Sequence, residues 1–196
     1  VINQLLKSHY KINALVREES KNKIENKDSC SLFIGDILEN NDIVEDMIKA
    51  SDVIIYNIGI IRENKSKNIT FKSLHYDGVK LTVNLAKKYH IKRFLLMSAI
   101  GACIDGTEYQ KSKYMGETYL KNNIRNWTII SPSLIFGDSK GKKEFCSELK
   151  KKMLSLPFPA PLFFSGMNIF SAGKFQMSPI HVKDVASIFV QSIDNN

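Results

Sequence analysis

Tyr109 and Lys113, a tyrosine and a lysine four residues apart, are residues whose types could do chemistry together. Residues at this spacing share one face of a helix, so a helix here would bring the phenol and the ammonium close. A neighbouring ammonium favours the phenolate and would lower the pKa of the tyrosine. The spacing therefore predicts a phenol that acts as an acid or a base near neutral pH.

The same spacing occurs a second time, at Tyr76 and Lys80. The Tyr109 pair is preferred because Ser98 precedes it by eleven residues, at the end of an apolar run, whereas no hydroxyl-bearing strand end stands at a suitable distance before Tyr76. A pair on an ordinary helix surface is the alternative for both. We take Ser98, Tyr109 and Lys113 as the candidate catalytic residues.

The elements that must position these residues are short apolar runs separated by segments of helical periodicity. The runs are nearly continuous in apolar residues, as in parallel sheets that helices cover on both faces. This alternation predicts an α/β fold with a Rossmann-like, doubly wound parallel sheet. The predicted strands are residues 11–16, 31–34, 52–58, 93–97, 127–130 and 177–181. Helical faces are predicted from Ile43, Val44, Met47 and Ile48, and from Leu74, Val79, Val83 and Ala86.

Ligands of such folds bind at the carboxyl ends of the strands, so the residues there are candidates for contacts to a dinucleotide. Arg17 suits the 2′-phosphate of NADP, although a solvated loop arginine is the simpler interpretation. Asp36 could accept a hydrogen bond from an adenine amine or serve as a turn residue. Gly59 would let a cofactor approach the backbone closely. The predicted nucleotide-binding residues are Arg17, Asp36, Ile37, Asn57, Gly59, Ser98, Lys113 and Pro132.

The chain changes character after about residue 138. Residues 141–154 are predicted to form a basic helix, and prolines at alternate positions exclude a helix from residues 156–164. We predict a nucleotide-binding domain at 1–138, an insert or flap at 139–176, and a return to the first domain at 177–196. Lys142, Lys143, Lys150, Lys151 and Lys152 could place the insert on anionic lipid, although a solvated helix is the preferred interpretation.

The composition excludes several classes of protein. With 43% hydrophobic residues in 196, the chain is too apolar to be disordered, and no stretch is apolar enough to span a bilayer. Its three cysteines and four histidines show no metal-ligand or disulfide pattern, which favours a reducing compartment. The net charge of +8 comes from scattered lysines, and no nucleic-acid-binding motif accompanies it.

Two later segments carry a resemblance to a known family. Residues 127–137 resemble the pattern R-P-x-x-[VI]-[FY]-G, and residues 179–186 resemble P-[IV]-x-V-x-D-V-A. With the Tyr109 pair and its preceding strand, they make the chain similar to atypical or extended short-chain dehydrogenases/reductases of the NAD-dependent epimerase/dehydratase superfamily. Residues 58–63, 75–78 and 97–102 are most similar to the NADPH-binding accessory subunit of respiratory complex I and its bacterial relatives.

The resemblance implies NADP(H), or alternatively NAD(H), as a structural cofactor and complex I subunits as partners. It implies a cytoplasmic protein or one at the cytoplasmic face of the inner membrane in a bacterium, and the matrix side of mitochondria in a eukaryote. Other atypical members of the superfamily are reductases or isomerases. Three functions follow as expectations: a nucleotide-holding accessory or assembly subunit, an NADP-dependent reductase or isomerase with Tyr109 as acid/base, and a peripheral membrane module.

The chain also departs from the family pattern. No two of its ten glycines are three residues apart, so the phosphate-binding loop G-x-x-G-x-x-G is not in the sequence. Residues 1–8 look like the later part of the helix that follows this loop. The first strand and its loop are therefore expected before Val1, and a C-terminal region after Asn196, so residues 1–196 alone should be weakly stable and bind dinucleotide weakly. Ala99 stands where active members usually carry the catalytic hydroxyl, and Ser131 replaces the usual arginine.

Overall fold

The predicted alternation of strands and helices is present in the computed structural model, which describes residues 1–39, 41–138 and 178–194. Five strands pair in parallel as two neighbouring groups, with the order β1-β2 and β3-β4-β5. The strands are β1 (Asn13–Val16), β2 (Ser31–Ile34), β3 (Val53–Tyr56), β4 (Arg93–Met97) and β5 (Trp127–Ile130).

Helices connect these strands, as parallel pairing requires. In the described residues the α-helices are α1 (Ile2–Lys7), α2 (Asn41–Lys49), α3 (Gly78–Lys88), α4 (Glu108–Asn123) and α5 (Val182–Asp194). Three short 3₁₀ turns cover Glu18–Lys23, Lys27–Ser29 and Lys65–Lys67. One turn of π-helix, Ser73–Asp77, leads directly into α3.

The main core lies between β3-β4-β5 and helices α2, α3 and α4. In β4 the first four residues are buried, because helices and neighbouring strands cover an apolar strand on all sides. Phe94 is fully buried there, together with Val44 of α2, Val83 of α3 and Leu120 of α4. Val44 and Ile48 of α2, and Val79 and Val83 of α3, are buried at helical spacing, and this is why the sequence pattern finds these two helices.

The predicted boundaries of β2, β4 and β5 are confirmed, and those of β1 and β3 are too long by two or three residues. Predicted strand 52–58 ends at Tyr56 in the structure, because the chain then leaves the ladder toward Gly59. Predicted strand 177–181 is reduced to β7 (Ile180–His181), with residue 177 outside the described residues. The sequence pattern did not predict β6 (Ile135–Phe136), whose two residues are too few for a recognisable period.

A second, smaller hydrophobic cluster surrounds β1. It consists of Leu5, Ile12, Ala14 and Val16, with Val190 and Ile193 of α5 packed against it. A cavity of about 990 Å³ lies between the two strand groups and is lined by residues of both β1 and β3, and by residues of α1 and α2. Asn13 and Ala50 both line this cavity, and the Asn13 side-chain amide donates to the Ala50 carbonyl at 2.9 Å.

The contacts divide the chain into two units, Val1–Pro132 with Ala186–Asn196, and Ser133–Val185. In the second unit β6 and β7 pair in parallel, and the rings of Phe136 and His181 meet edge to face at 5.2 Å. The predicted basic helix at 141–154 and the proline-containing segment at 156–164 lie outside the described residues. Among the described helices, none combines the length and apolar character that a membrane span needs.

Candidate functional site

The helix that carries the predicted tyrosine and lysine is fixed at its first turn. A capping box joins Thr107 and Gln110, with the Gln110 side chain accepting from the Thr107 N–H at 2.9 Å. The Gln110 amide also donates to the Gly101 carbonyl at 2.9 Å. These contacts tie the start of α4 to the loop that follows β4, so Tyr109 is held next to a strand end.

Lys113 lies one turn further along α4, and its side chain is buried. Its ammonium Nζ donates to the Met97 carbonyl at the end of β4, at 3.0 Å. Burial lowers the pKa of Lys113 to about 8, and the nearby Glu117 carboxyl opposes part of this shift. An ammonium has three N–H donors and the Met97 carbonyl accepts from one of them, so a polar ligand at this strand end could accept from another.

Gly59, three residues beyond β3, faces the same lysine. A Cβ atom at this position would lie 3.4 Å from Lys113 Nζ and 3.3 Å from His75 Nε2. A side chain at this position would crowd both groups, so glycine lets the loop after β3 pack closely against them. Gly59 is also exposed, so a ligand could approach its backbone near the Lys113 ammonium.

Tyr109 is half-buried among aromatic rings. Its ring meets those of His75 and Phe71 edge to face, with centroids 5.2 and 5.5 Å away. Burial raises the pKa of Tyr109, so the expected lowering by Lys113 is wrong for this structure. Burial is the cause of this shift, and the Lys113 ammonium is directed to the Met97 carbonyl instead.

Ser98 is buried, and its hydroxyl donates to the Glu117 carboxyl of α4. The other oxygen of that carboxyl pairs with Lys121 at 3.3 Å. The hydroxyl is thus engaged along α4, and the next residue, Ala99, has none to offer. The structure places Ser98 near Lys113, through the adjacent Met97, but gives it a partner other than Tyr109.

The predicted adenosine-side residues follow β1 and β2. Arg17 is half-exposed, and its Nε lies 3.3 Å from a carboxylate oxygen of Glu19. Asp36 accepts a hydrogen bond from the Leu38 N–H at 2.9 Å, an Asx-type turn. Ile37 is buried in the main core, so only its backbone could face a ligand.

The remaining predicted residues are backbone contacts or surface groups at strand ends. Asn57 is exposed directly after β3. The Pro132 carbonyl accepts from the Ile100 N–H at 3.0 Å, so this hydrogen bond joins the segments that follow β5 and β4. The structure therefore brings Tyr109, Lys113 and Gly59 together, and leaves Arg17 and Asp36 at the ends of the other strand pair.

The competing pair at Tyr76 and Lys80 lies on a different surface. The Tyr76 ring meets Tyr119 edge to face at 6.1 Å, and the Lys80 ammonium lies over the Tyr119 ring at 5.8 Å. Lys72 lies over the Tyr76 ring as well, at 5.9 Å. These are surface cation–π contacts, and they give Tyr76 no buried lysine of the kind beside Gly59.

Sequence reasoning missed His75 as a site residue. It is 2% exposed and touches both Tyr109 and the backbone that follows Gly59. The available signal was a histidine in the apolar stripe that continues through Val79 and Val83. The π-helical turn that directs it inward leaves no recognisable sequence period.

The site and the sheet define a dinucleotide-binding domain of the Rossmann-like class, with a tyrosine and a lysine on the helix that follows β4. A profile described as NAD(P)H-binding matches residues 1–155. The chain belongs to this NAD(P)H-binding family. Its fold is that of the NAD-dependent epimerase/dehydratase group of short-chain dehydrogenases/reductases.

Two curated relatives are mitochondrial. The NADH-ubiquinone oxidoreductase 40 kDa subunit of Neurospora crassa is 27% identical over 163 residues, which cover 81% of this chain and 38% of that protein. NADH dehydrogenase [ubiquinone] 1 alpha subcomplex subunit 9 of Dictyostelium discoideum is 23% identical over 151 residues, 76% of this chain and 38% of that protein. The chain thus spans under two fifths of the length of these relatives.

Among solved structures, the Bordetella bronchiseptica enzyme WbmH in complex with NAD+ is similar in fold. The TM-score is 0.76 at 14% sequence identity, over 99% of this chain and 67% of that one. This likeness confirms the predicted Rossmann-like fold.

The residues present fit one half of a nicotinamide dinucleotide. Gly59 is exposed and lies beside the buried Lys113 ammonium, so a ribose could contact both. The sequence has no G-x-x-G-x-x-G loop, whose amides would hold a pyrophosphate at a helix N-terminus. The contacts that the described residues offer are therefore those of the nicotinamide side and of the strand ends at Arg17 and Asp36.

Proposed function

We propose that this chain is the NADP(H)-holding part of a complex I accessory or assembly-type subunit, in which the nucleotide has a structural role. The position of the Ser98 hydroxyl carries the proposal. It is buried and donates to Glu117, while Ala99 occupies the place beside it. Without a second hydroxyl to share a substrate oxygen with Tyr109, the site is better suited to holding a nucleotide than to turning one over.

Each proposed contact to the nucleotide has a physical reason. Lys113 would donate to a ribose hydroxyl, and Gly59 would let the ring approach the backbone. Arg17 would exchange its exposed partner Glu19 for a 2′-phosphate, which offers more acceptor oxygens. This contact favours NADP(H) over NAD(H). Asp36 would accept a hydrogen bond from the adenine amine.

The two mitochondrial relatives support the assignment to complex I. Both are subunits of NADH dehydrogenases by their names. Other complex I subunits are therefore the proposed partners, at the matrix side of the mitochondrial inner membrane or at the cytoplasmic face of a bacterial one. An anionic membrane surface as a further partner is an expectation that depends on lysines outside the described residues.

The structural role of the nucleotide can be tested with the full-length protein, purified under native conditions. We expect mass spectrometry of the released small molecules to find NADP(H) in near-stoichiometric amount. We also expect no oxidation of the bound nucleotide, followed by its absorbance at 340 nm, when candidate carbonyl substrates are added. Recovery of NAD(H) instead would contradict the role of Arg17, and rapid oxidation would contradict the structural role.

A second function, an NADP-dependent reductase or isomerase, is favoured by Tyr109 itself. The phenol lies in the first turns of α4 with Lys113 one turn away, and its ring is half-buried against Phe71 and His75. Such a phenol could pass a proton to a substrate oxygen. The raised pKa of Tyr109 would make it an acid rather than a base at neutral pH.

Tyr109→Phe separates these two functions, because it removes only the hydroxyl. We expect the variant to retain NADP(H) within about threefold of the wild-type affinity, since the proposed contacts come from Lys113 and Gly59. If the protein is a reductase, this variant should lose activity by about a hundredfold or more. Tyr114→Phe on the exposed part of the same helix is the matched control. Loss of nucleotide from Tyr109→Phe would contradict both assignments.

A further inference from the structure

His75 connects two parts of the site that the strands alone do not join. It lies in the π-helical turn Ser73–Asp77, at the start of α3, and is almost completely buried. π-Helical turns cost hydrogen-bond geometry and occur often at functional sites. Here the turn brings the imidazole between the loop that follows β3 and the first turns of α4.

A chain of hydrogen bonds passes through the imidazole. The Ile60 N–H donates to Nε2 of His75 at 3.1 Å, so Nε2 carries the lone pair. Nδ1 carries the proton and donates to the Ser112 hydroxyl at 3.0 Å. That hydroxyl in turn donates to the Tyr109 carbonyl at 2.8 Å. Every donor in the chain has one acceptor, which fixes a single neutral tautomer.

Packing holds the ring in this orientation. The imidazole stacks on Phe71 with centroids 5.7 Å apart and meets the Tyr109 ring edge to face. Its own carbonyl lies against Gly116 of α4, where a Cβ atom would overlap it. The ring therefore cannot turn without moving α4 or the loop that contains Ile60.

The imidazole is neutral across the physiological range. Burial, followed by the positive charge of Lys113, lowers the pKa of His75 to about 3. A ring that stays neutral and has both nitrogens engaged has no proton to exchange with a substrate. Its effect on the site must come from where it holds its neighbours.

We propose that His75 is a positioning residue that couples the nucleotide-facing loop at Gly59 and Ile60 to the Tyr109 end of α4. The proposal rests on the proposed function, because it takes Gly59 and Lys113 as the nucleotide-binding side. Through the imidazole, a ligand that presses on the loop shifts the Ser112 hydroxyl and the Tyr109 backbone. A change at Tyr109 acts on the loop in return.

Three substitutions separate the two ends of this connection. His75→Gln reaches Ile60 with its side-chain oxygen but lacks the short-range donor to Ser112. His75→Asn places its amide near Ser112 but does not reach Ile60. His75→Phe keeps the ring volume and loses both hydrogen bonds. The matched control is His90→Asn, an exposed histidine whose positive φ of 53° asparagine tolerates.

In the full-length protein we expect His75→Phe and His75→Asn to weaken NADPH binding about tenfold, because the loop at Ile60 loses its hydrogen bond. His75→Gln keeps that hydrogen bond, so its affinity should stay within about threefold of wild type. Amide hydrogen exchange at Ile60 should be faster in the Phe and Asn variants and unchanged in Gln. NADPH should slow amide exchange at Ser112 in the wild type and in none of the three variants, because each of them breaks the connection at one end or both. Denaturant midpoints of Gln and Asn should be similar. This pattern differs from that of a merely structural histidine, for which affinity would follow stability.

Two further observations keep the outcome decisive. The ¹⁵N spectrum of the wild-type ring should show an unprotonated Nε2 and a protonated Nδ1 that do not titrate between pH 5 and 8, and NADPH should shift the Nε2 resonance. A titrating ring, or equal effects of Gln and Asn on Ile60 exchange, would overturn the coupling. If wild-type protein binds no NADP(H), the proposed function fails, while the tautomer and the Ile60 exchange still decide the role of His75.

Discussion

Replacing Gly116 with alanine should lower the free energy of unfolding by about 2 kcal/mol, the net of about 3 kcal/mol of overpacking and up to 1 kcal/mol of gained helix propensity. The added Cβ would overlap the His75 carbonyl oxygen, and this neighbour is backbone. A side chain could rotate away, but the π-helical turn and α4 can only separate. Val79 lies 3.6 Å from the same position and limits movement in that direction.

The consequence should extend beyond stability, because the displaced element carries the imidazole. We expect NADPH affinity of Gly116→Ala to fall together with the edge-to-face contact between His75 and Tyr109. Urea unfolding followed by far-ultraviolet circular dichroism measures the first effect, and fluorescence titration with NADPH the second. Thr118→Ala, on the same helix, adds no atoms and should leave both unchanged. An alanine variant as stable as wild type would contradict the close approach of α4 to the turn.

Lys113→Met should differ from Gly116→Ala in stability, with a large loss of nucleotide affinity and little change in the free energy of unfolding. The shift of the Lys113 pKa from 10.5 to about 8 means that burying the ammonium costs about 3 kcal/mol at neutral pH. Its hydrogen bond to the Met97 carbonyl returns about 1.5–3 kcal/mol. Methionine has a similar length and removes both contributions, so we expect the free energy of unfolding at pH 7 to change by no more than about 1 kcal/mol.

The affinity for NADPH should fall about 10- to 100-fold in Lys113→Met, because the variant loses one charge-assisted hydrogen bond to a ribose hydroxyl. Lys111→Met on the same helix is the control, since its ammonium is partly exposed and pairs with Glu108 at 3.2 Å. Isothermal titration of the two variants in parallel provides the comparison. Equal affinities would show that the buried lysine does not contact the nucleotide.

The lowered pKa of Lys113 predicts how the free energies of unfolding of the wild type and Lys113→Met differ with pH. Between about pH 8 and 10.5 the unfolded chain binds a proton at residue 113 that the folded chain has released. The free energy of unfolding of the wild type should therefore rise with pH relative to Lys113→Met over this interval. Subtracting the free energy of unfolding of Lys113→Met from that of the wild type removes the contributions of the other groups that titrate in this interval. A difference that falls with pH would mean that the folded state favours the charged amine.

The fold was predictable because its main elements carry strong local patterns. The apolar run of β4, and the helical spacing of Val79, Val83 and Ala86, can each be recognised within one segment of sequence and mark the residues that are buried. The parallel order then follows from the alternation of strands and helices. Short elements such as β6 could not be predicted, since two residues carry no period and their position depends on the partner strand β7.

The candidate site was predictable in part. The helix that joins Tyr109 to Lys113 and its position after β4 follow from the sequence, because spacing fixes the helical face. The Ser98–Glu117 contact and the burial of Tyr109 depend on side chains that are distant in sequence. The direction of the Tyr109 pKa was wrong for this reason: the spacing gives the distance to Lys113 but not the Met97 carbonyl that engages the ammonium.

The cavity between β1 and β3 has a consequence for how the protein behaves in solution. In the described part of the chain, each of these strands has a backbone partner on one side, β2 or β4, and the cavity on the other. Strand edges with unused amides and carbonyls pair readily with extended segments from other chains. For residues 1–196 on their own, self-association and aggregation should therefore begin around β1 and β3, and a segment that fills the cavity should suppress both.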